Sequence, residues 1–149
     1  MMLLLKLAGG VAGIVVVVAG VAAAVGAAQP VVHVASRSET FALSQENLWD
    51  LSLAAFRRSN NGSYAIVQQE HPRRFVTAIV DKKLPYGGTW AYELAPAAGG
   101  TTLTVVERGE VYNPVFRFVS RYVIGHTRAL DAYFADLRKA AETARSAKA

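Results

Sequence analysis

Glu107 is the residue of this 149-residue chain whose type and position most suggest chemistry. It lies two and four positions after Val105 and Leu103 on a predicted strand, and alternate side chains of a strand point to the same face. Its carboxylate can therefore face the interior of the fold together with these apolar residues. Desolvation there would raise the pKa of the carboxyl group and suit it to act as an acid or a base. The alternative, which we favour from the sequence alone, is an ion pair at the rim of the sheet. Its partner would be Arg108, Arg117 or Arg121.

His126 is the second candidate for proton transfer. The residues three and four positions after it are Ala129 and Leu130, so no helical metal pair is formed. Ser120 lacks the G-x-S-x-G context of a nucleophile elbow, and the glycine pairs join strands without opening helices. We therefore predict no catalytic residue, no metal ligand and no cofactor. Whether the protein is an enzyme stays open, and we favour a protein without catalysis.

The elements around these residues predict an α+β fold. Alternation predicts a first strand, and Ser44 is placed to cap a helix that ends near Arg58. Turn residues then separate four further runs, and short connections predict an antiparallel sheet. The predicted strands are Val31–Phe41, Tyr64–Glu70, Arg74–Asp81, Thr89–Leu94 and Thr101–Val111.

The last element is predicted to be one long helix. Asn113 caps it, and Pro114 is preorganised for the first helical position. Roughly 25–30 residues without a further proline would reach about 40 Å, enough to cross the sheet. Residues 145–149 are expected to fray. Apolar positions recur at steps of four and three through Val119, Val123, His126, Leu130, Phe134, Leu137 and Ala141.

The N-terminal segment is predicted to enter a membrane. No residue from Leu7 to Ser36 carries a formal charge, and Leu7–Ala28 is long enough to be a single-pass transmembrane helix. A cleaved signal peptide is the alternative, but the apolar run exceeds its usual length. We therefore divide the chain into an anchor, residues 1–29, and a domain, residues 30–149. The charge flanking the segment decides orientation weakly, and we place the domain outside the cytoplasm.

Composition excludes several classes of function. The chain has no cysteine, which excludes disulfides and thiolate metal sites. Its net charge is +5, and without Lys6 the domain keeps +4. The basic residues occur as separated pairs, with no nucleic-acid recognition motif beside them, so we predict no nucleic-acid partner.

The chain resembles the START-like SRPBCC superfamily, which includes polyketide cyclase/dehydrase and lipid-transfer proteins. The segment 32–51 looks like the first strand and helix of that family, and 71–126 looks like its later strands and grip helix. Gly87–Trp90 followed by Glu107–Pro114 is similar to a subgroup of which several members carry an N-terminal hydrophobic anchor. The resemblance implies a helix-grip fold, in which an antiparallel sheet wraps a long C-terminal helix around a hydrophobic cavity.

One departure from the family changes the expected cavity. The family has a second short helix and two strands before the strand equivalent to Tyr64–Glu70, but only Arg57–Ser63 lies there in this chain. Seven residues cannot hold a hairpin after the helix has ended. We therefore expect about five strands, and a cavity that is smaller or open on that side.

The resemblance implies a hydrophobic ligand between the sheet and the last helix. Ordinary core packing is the alternative for the same residues. Our first hypothesis is a membrane-anchored module that binds a lipid or another hydrophobic small molecule. The second is an interaction domain that forms a homodimer through an exposed sheet edge, and the third is a cyclase/dehydrase-like enzyme. The predicted lining is Trp90, Tyr92, Leu103, Val105, Glu107, Val119, Tyr122, Val123 and His126.

Overall fold

The computed structural model describes residues 2–60 and 62–146, with the side chains of the first helix described from Val15 onward. The first helix, α1, covers Met2–Ala27 and ends before Pro30, as its apolar sequence predicts. In the part of the chain that is described, we find no helix with the length and hydropathy of a membrane span. Half of the predicted anchor, residues 1–14, lies outside the residues whose side chains are described. The membrane anchor stays a prediction.

Five antiparallel strands form one sheet in the spatial order β1-β5-β4-β3-β2. The predicted number of strands and their direction are therefore confirmed. The two strands at the edges are β1 and β2; pairing of either edge with a second copy stays a prediction. The strands are β1 (Val32–Phe41), β2 (Tyr64–Glu70), β3 (Arg74–Ile79), β4 (Tyr86–Ala97) and β5 (Gly100–Val111).

The register across the sheet decides which side chains share its inner face. One row joins Ala35 to Glu107, Glu107 to Trp90, and Trp90 to Thr77. The next row joins Arg37, Val105, Tyr92 and Phe75. The opposite face is exposed and carries hydroxyl pairs such as Ser38 with Thr104. Only one face of the sheet therefore packs against helices.

Helix α2 (Gln45–Ser59) begins where the sequence predicts. The Ser44 hydroxyl accepts a hydrogen bond from the backbone N–H of Asn47 at 3.3 Å, which satisfies one free donor of the first turn. The helix buries Leu48 and Trp49 against the sheet, where Trp49 meets the Phe75 ring edge to face at 5.2 Å. The short connection after α2 contains Asn61, which is outside the described residues.

Helix α4 (Arg128–Ser146) supplies the other half of the core. Leu130, Phe134 and Leu137 are fully buried, and Ala141 is buried on the same stripe. Residues with this spacing form one face of a helix, so this half of the predicted stripe is confirmed. Arg37 on β1 forms an ion pair with Asp131. Burial of the apolar stripe and this pair fix α4 across the inner face.

The prediction of a single long C-terminal helix is wrong. The chain forms α3 (Pro114–Val119), then a π-helical turn (Ser120–Ile124), and breaks at Gly125 before α4 begins. Gly125 has φ +82°, a conformation that a glycine adopts easily and that ends a helix. A run of β-branched residues before it also lowers helix propensity. Residues 147–149, part of the predicted frayed end, lie outside the described residues.

The described residues form an α+β fold with a five-stranded antiparallel sheet and four α-helices. It is consistent with a helix-grip-like arrangement in which α2 and α4 cover the sheet. The break at Gly125 means that α4 grips only part of it. The end of the sheet near α3 lies under α3 and the Gly125 linker, and the candidate site lies there.

Candidate functional site

Two clefts lie between the sheet and the C-terminal helices. One has a volume of about 720 Å³ and lies between α2, α4 and the strands β2–β4. The other, of about 540 Å³, lies between α3, the Gly125 linker and the strands β4 and β5. Both clefts are open to solvent. Ala129 and Ala132 of α4, which lie at their common border, are exposed. The two clefts share Tyr64, Trp90, Ala129 and Ala132.

Glu107 lies in the 540 Å³ cleft, directly opposite Trp90 in the register. Its Oε1 is 3.7 Å from Nε2 of His33 on the neighbouring strand. Its Oε2 is buried, with no hydrogen-bond partner in the described part of the chain. The inward orientation that we considered is therefore what the structure shows, and the ion pair with a rim arginine, which we favoured, is wrong.

Two histidine rings stack next to this carboxyl group. The centroids of the His33 and His126 rings are 4.1 Å apart, and the two ring planes are inclined by 24°. Nδ1 of His126 is 3.4 Å from the Ser120 hydroxyl oxygen, which joins the linker to the π-helical turn. Gly109 makes the stack possible, since a Cβ at that position would overlap the His33 ring.

Burial dominates the electrostatics of this cluster. Desolvation raises the pKa of Glu107, and the Trp90 side chain opposite it opposes that effect only in part. Desolvation, followed by the nearby His126, lowers the pKa of His33. Desolvation, followed by Arg121, lowers the pKa of His126. The 3.7 Å contact favours the charged forms of Glu107 and His33, whereas burial favours the neutral form of each group.

A carboxyl group beside two imidazole rings offers both donors and acceptors of hydrogen bonds. Such a cluster can hold a polar group of a ligand or move a proton to or from it. It does not form a metal site: among the residues that the structure describes, no group of three carboxylates or histidines is arranged to bind a cation.

The 720 Å³ cleft has a different chemistry, dominated by aromatic rings. Tyr133 lies edge to face with Trp90 at 6.1 Å and with Tyr92 at 5.5 Å. Burial raises the pKa of Tyr133 and of Tyr92, so both phenols stay neutral. The Asp136 and Lys139 side chains lie at its border. This cleft therefore offers an apolar wall with neutral hydroxyl groups.

The predicted lining residues divide into three groups. Trp90, Tyr92, Glu107, Val119 and His126 do line the clefts. Leu103 and Val105 are fully buried beneath α4, so core packing accounts for them. Tyr122 and Val123 are 56% and 70% exposed, so their prediction as lining residues is wrong. The break at Gly125 rotates them away from the stripe that α4 buries.

His33 and Tyr64 line the site but were not predicted to do so. His33 is two positions before Ala35 on the inner face of β1, and it reaches Glu107 because β1 pairs with β5. Strand parity could have placed His33 on the same face as Ala35. Only the pairing of the first strand with the last, which are far apart in sequence, could have placed it beside Glu107.

Comparison with known proteins identifies the fold but no family. No family model matches the chain, and no curated protein matches it significantly. Solved structures do match it at low sequence identity. At this identity the likeness concerns the fold alone.

Three of these structures represent the matches. A protein from Rhodobacter sphaeroides is 12% identical, covers 79% of this chain and 99% of its own length, and has a TM-score of 0.53. A protein from Mesorhizobium loti is 12% identical over 74% of this chain and 98% of its own, with a TM-score of 0.56. CalU16 from Micromonospora echinospora is 13% identical over 76% of this chain and 80% of its own, with a TM-score of 0.55.

Proposed function

We propose that this domain binds a hydrophobic small molecule or a lipid in the two adjoining clefts. The observation that carries the proposal is their size and border: about 720 and 540 Å³, joined by Tyr64, Trp90, Ala129 and Ala132. Typical ligand pockets fall in this range of volume and combine apolar walls with a few polar groups. Together with the resemblance to the START-like SRPBCC superfamily, this favours a binding module.

The two clefts would divide the ligand between them. The apolar part would lie against Trp90, Tyr92 and Tyr133, where large aromatic rings offer contact area. The polar group would lie at Glu107, whose Oε2 has no partner among the described residues. A buried polar atom without a partner is costly, and a ligand group that hydrogen-bonds to it would relieve that cost.

We also propose that the segment Leu7–Ala28 holds this domain at a membrane, with the domain outside the cytoplasm. The support is the absence of formal charge from Leu7 to Ser36 and the helical conformation of α1. Alkaline carbonate extraction of cell membranes would test it: an anchored chain stays in the pellet, and a chain released into the supernatant would contradict the anchor.

Ligand binding can be tested with parinaric acid, a fluorescent fatty acid, added to the full chain in detergent. Ala132→Phe places a ring at the border of both clefts, and we expect it to weaken binding about ten-fold, since overfilling costs about 1–3 kcal/mol. Ala95→Phe makes the same change on the exposed face of the sheet and should bind as the unchanged chain does. Equal affinity in both variants would contradict a ligand in the clefts.

An enzyme that transfers protons is the second candidate. The observation in its favour is the contact of Glu107 with His33 beside a cleft that can hold a substrate. Once a bound compound is identified by mass spectrometry of the purified chain, Glu107→Gln separates the two functions. A binding module converts the compound in neither chain, whereas an enzyme converts it and loses that conversion in the variant.

A further inference from the structure

We propose that the segment Pro114–Ile124, here called the rim segment, docks on a lipid bilayer that contains anionic lipids. This contact goes beyond the anchor and does not depend on whether the clefts bind a ligand. The rim segment comprises α3 and the π-helical turn, and it buries none of its residues. Its exposed large side chains are Val115, Phe116, Tyr122, Val123 and Ile124.

The exposure of these side chains is high for a short segment. Phe116 is 52% exposed, Tyr122 56%, Val123 70% and Ile124 50%. Large contiguous apolar patches on a protein surface mark sites of interaction with membranes or other proteins. Single exposed hydrophobic residues are common, but here they follow one another on one element.

The rim segment is attached to the hydrophobic helix α1. The Arg117 guanidinium donates to the Gln29 carbonyl oxygen at 2.8 Å, and the Gln29 amide donates to the Tyr122 hydroxyl at 3.4 Å. Gly26 lies so close to Pro114 that a Cβ would overlap its carbonyl group. The valines of α1 that precede this junction are also more than half exposed: Val15, Val16, Val17, Val18 and Val21.

Two apolar surfaces therefore adjoin at one end of the molecule. An amphipathic element at a bilayer surface buries its apolar side chains at the boundary between headgroups and acyl chains. Tyrosine and other aromatic side chains are enriched at that depth. The rim segment fits this position because its exposed residues include both aromatic and branched aliphatic side chains.

The charge of the rim segment favours anionic lipid over a second copy of the chain. Between Pro114 and Ile124 there are two arginines, Arg117 and Arg121, and no acidic residue. A basic residue near an anionic membrane surface gains about 1 kcal/mol. Arg121 is the exposed one of the two, and a symmetric dimer through the same surface would bring its two copies towards each other, where like charges oppose association.

Docking would also orient the clefts. Phe116, Val119, Ser120 and Ile124 line the 540 Å³ cleft from the side of the rim segment. The opening of that cleft would then lie beside the lipid surface, so that an apolar ligand could pass between bilayer and cleft. This consequence rests on the proposed function, whereas docking itself does not.

The absence of cysteine makes a direct test of docking available. The full chain carrying Val123→Cys would be labelled with a fluorophore sensitive to polarity and reconstituted in phosphatidylcholine vesicles with and without phosphatidylserine. Val67→Cys is the matched control, since Val67 is a 57% exposed valine on the edge strand β2. We expect blue-shifted emission and strong quenching by nitroxide-labelled lipid at position 123, and neither at position 67.

Two further variants separate docking from mere proximity to α1. Phe116→Ser with Ile124→Ser, in the Val123→Cys chain, should abolish most of the quenching while circular dichroism stays unchanged, because both side chains are exposed. Arg121→Gln should remove most of the gain due to phosphatidylserine. Unchanged quenching in the double serine variant would overturn the proposal. So would a blue shift at position 123 that appears without lipid and grows with protein concentration, which would indicate a second copy.

Discussion

The two ends of the sheet's inner face are covered in different ways. Under α4, the row that contains Val105, Tyr92 and Phe75 is packed against Phe134 and Leu137 with almost no exposed surface. Near the Gly125 linker, Glu107 and Trp90 of the next row, together with His33, border the 540 Å³ cleft. The same strands supply both ends, so the difference comes from the covering element.

This contrast shows how the molecule can combine stability with a site. The packed end buries Phe134 and Leu137 and contributes most of the hydrophobic stabilisation, which scales with the apolar area removed from solvent. The open end places a carboxyl group, two histidines and several apolar side chains at the border of a cleft. Residues that lower the stability of the fold are concentrated where an interaction partner could stabilise them.

The sharpest way to test the contrast is to remove one phenylalanine from each end. Phe134 is fully buried, and Phe134→Ala should lower the free energy of unfolding by about 3–5 kcal/mol. Phe116 is 52% exposed, and Phe116→Ala should change it by about 0.5 kcal/mol or less. Urea denaturation followed by circular dichroism measures both. Similar losses in the two variants would mean that the open end is packed as tightly as the other.

A smaller effect is expected from Gly109→Ala, which fills the space that the His33 ring occupies at the open end. Forcing an extra methyl group into a packed contact costs about 1–3 kcal/mol. The ring should move towards solvent, so the pKa of His33 should rise towards its ordinary value as the desolvation is lost. Proton NMR of the imidazole signals during a pH titration measures this, with His71 as internal reference. An unchanged His33 signal would contradict the stacked arrangement.

The smallest effect concerns the pH dependence of stability. Because the pKa of Glu107 is raised in the folded state, that state binds its proton more tightly, and stability falls as pH rises from the unfolded-state pKa to the folded-state value. Glu107→Gln should remove this fall, whereas Glu93→Gln, at a surface pair with Arg74, should keep it. The lowered pKa values of His33 and His126 act in the opposite direction, since they reduce stability as pH falls below about 6.5.

Denaturation of both glutamine variants across this pH range would measure the contribution of Glu107. If the unchanged chain and Glu107→Gln had identical pH profiles, Glu107 would be solvated and the open end would lack a desolvated carboxyl group. A change of similar size in Glu93→Gln would show that the effect is general surface electrostatics.

Much of the fold could be predicted because it depends on local patterns. Alternation along β2 and β5, the Ser44 cap of α2 and the Asn113–Pro114 start of α3 each follow from residues that are neighbours in sequence. The short connection between Ser59 and Tyr64 leaves no room for a further strand pair, which limited the sheet to five strands. The buried stripe of α4 follows from helical spacing in the same way.

The break of the C-terminal helix at Gly125 was not predicted, although a local signal for it was present. The apolar stripe continues through Val119, Val123 and His126 as if the helix were unbroken. Gly125 interrupts it with a positive φ that favours glycine. A stripe reports only which residues are apolar, so it cannot by itself distinguish a buried face from an exposed one.

By itself, the sequence determined the strands and their order, helix α2, the caps and the apolar face of α4, because each is set by residues within a few positions of one another. The tertiary structure alone decided that His33 meets Glu107 and His126, and that Tyr122 and Val123 face outward. The contacts of His33 join residues that are far apart in the sequence. They depend on the pairing of β1 with β5 and on the direction of the chain after Gly125.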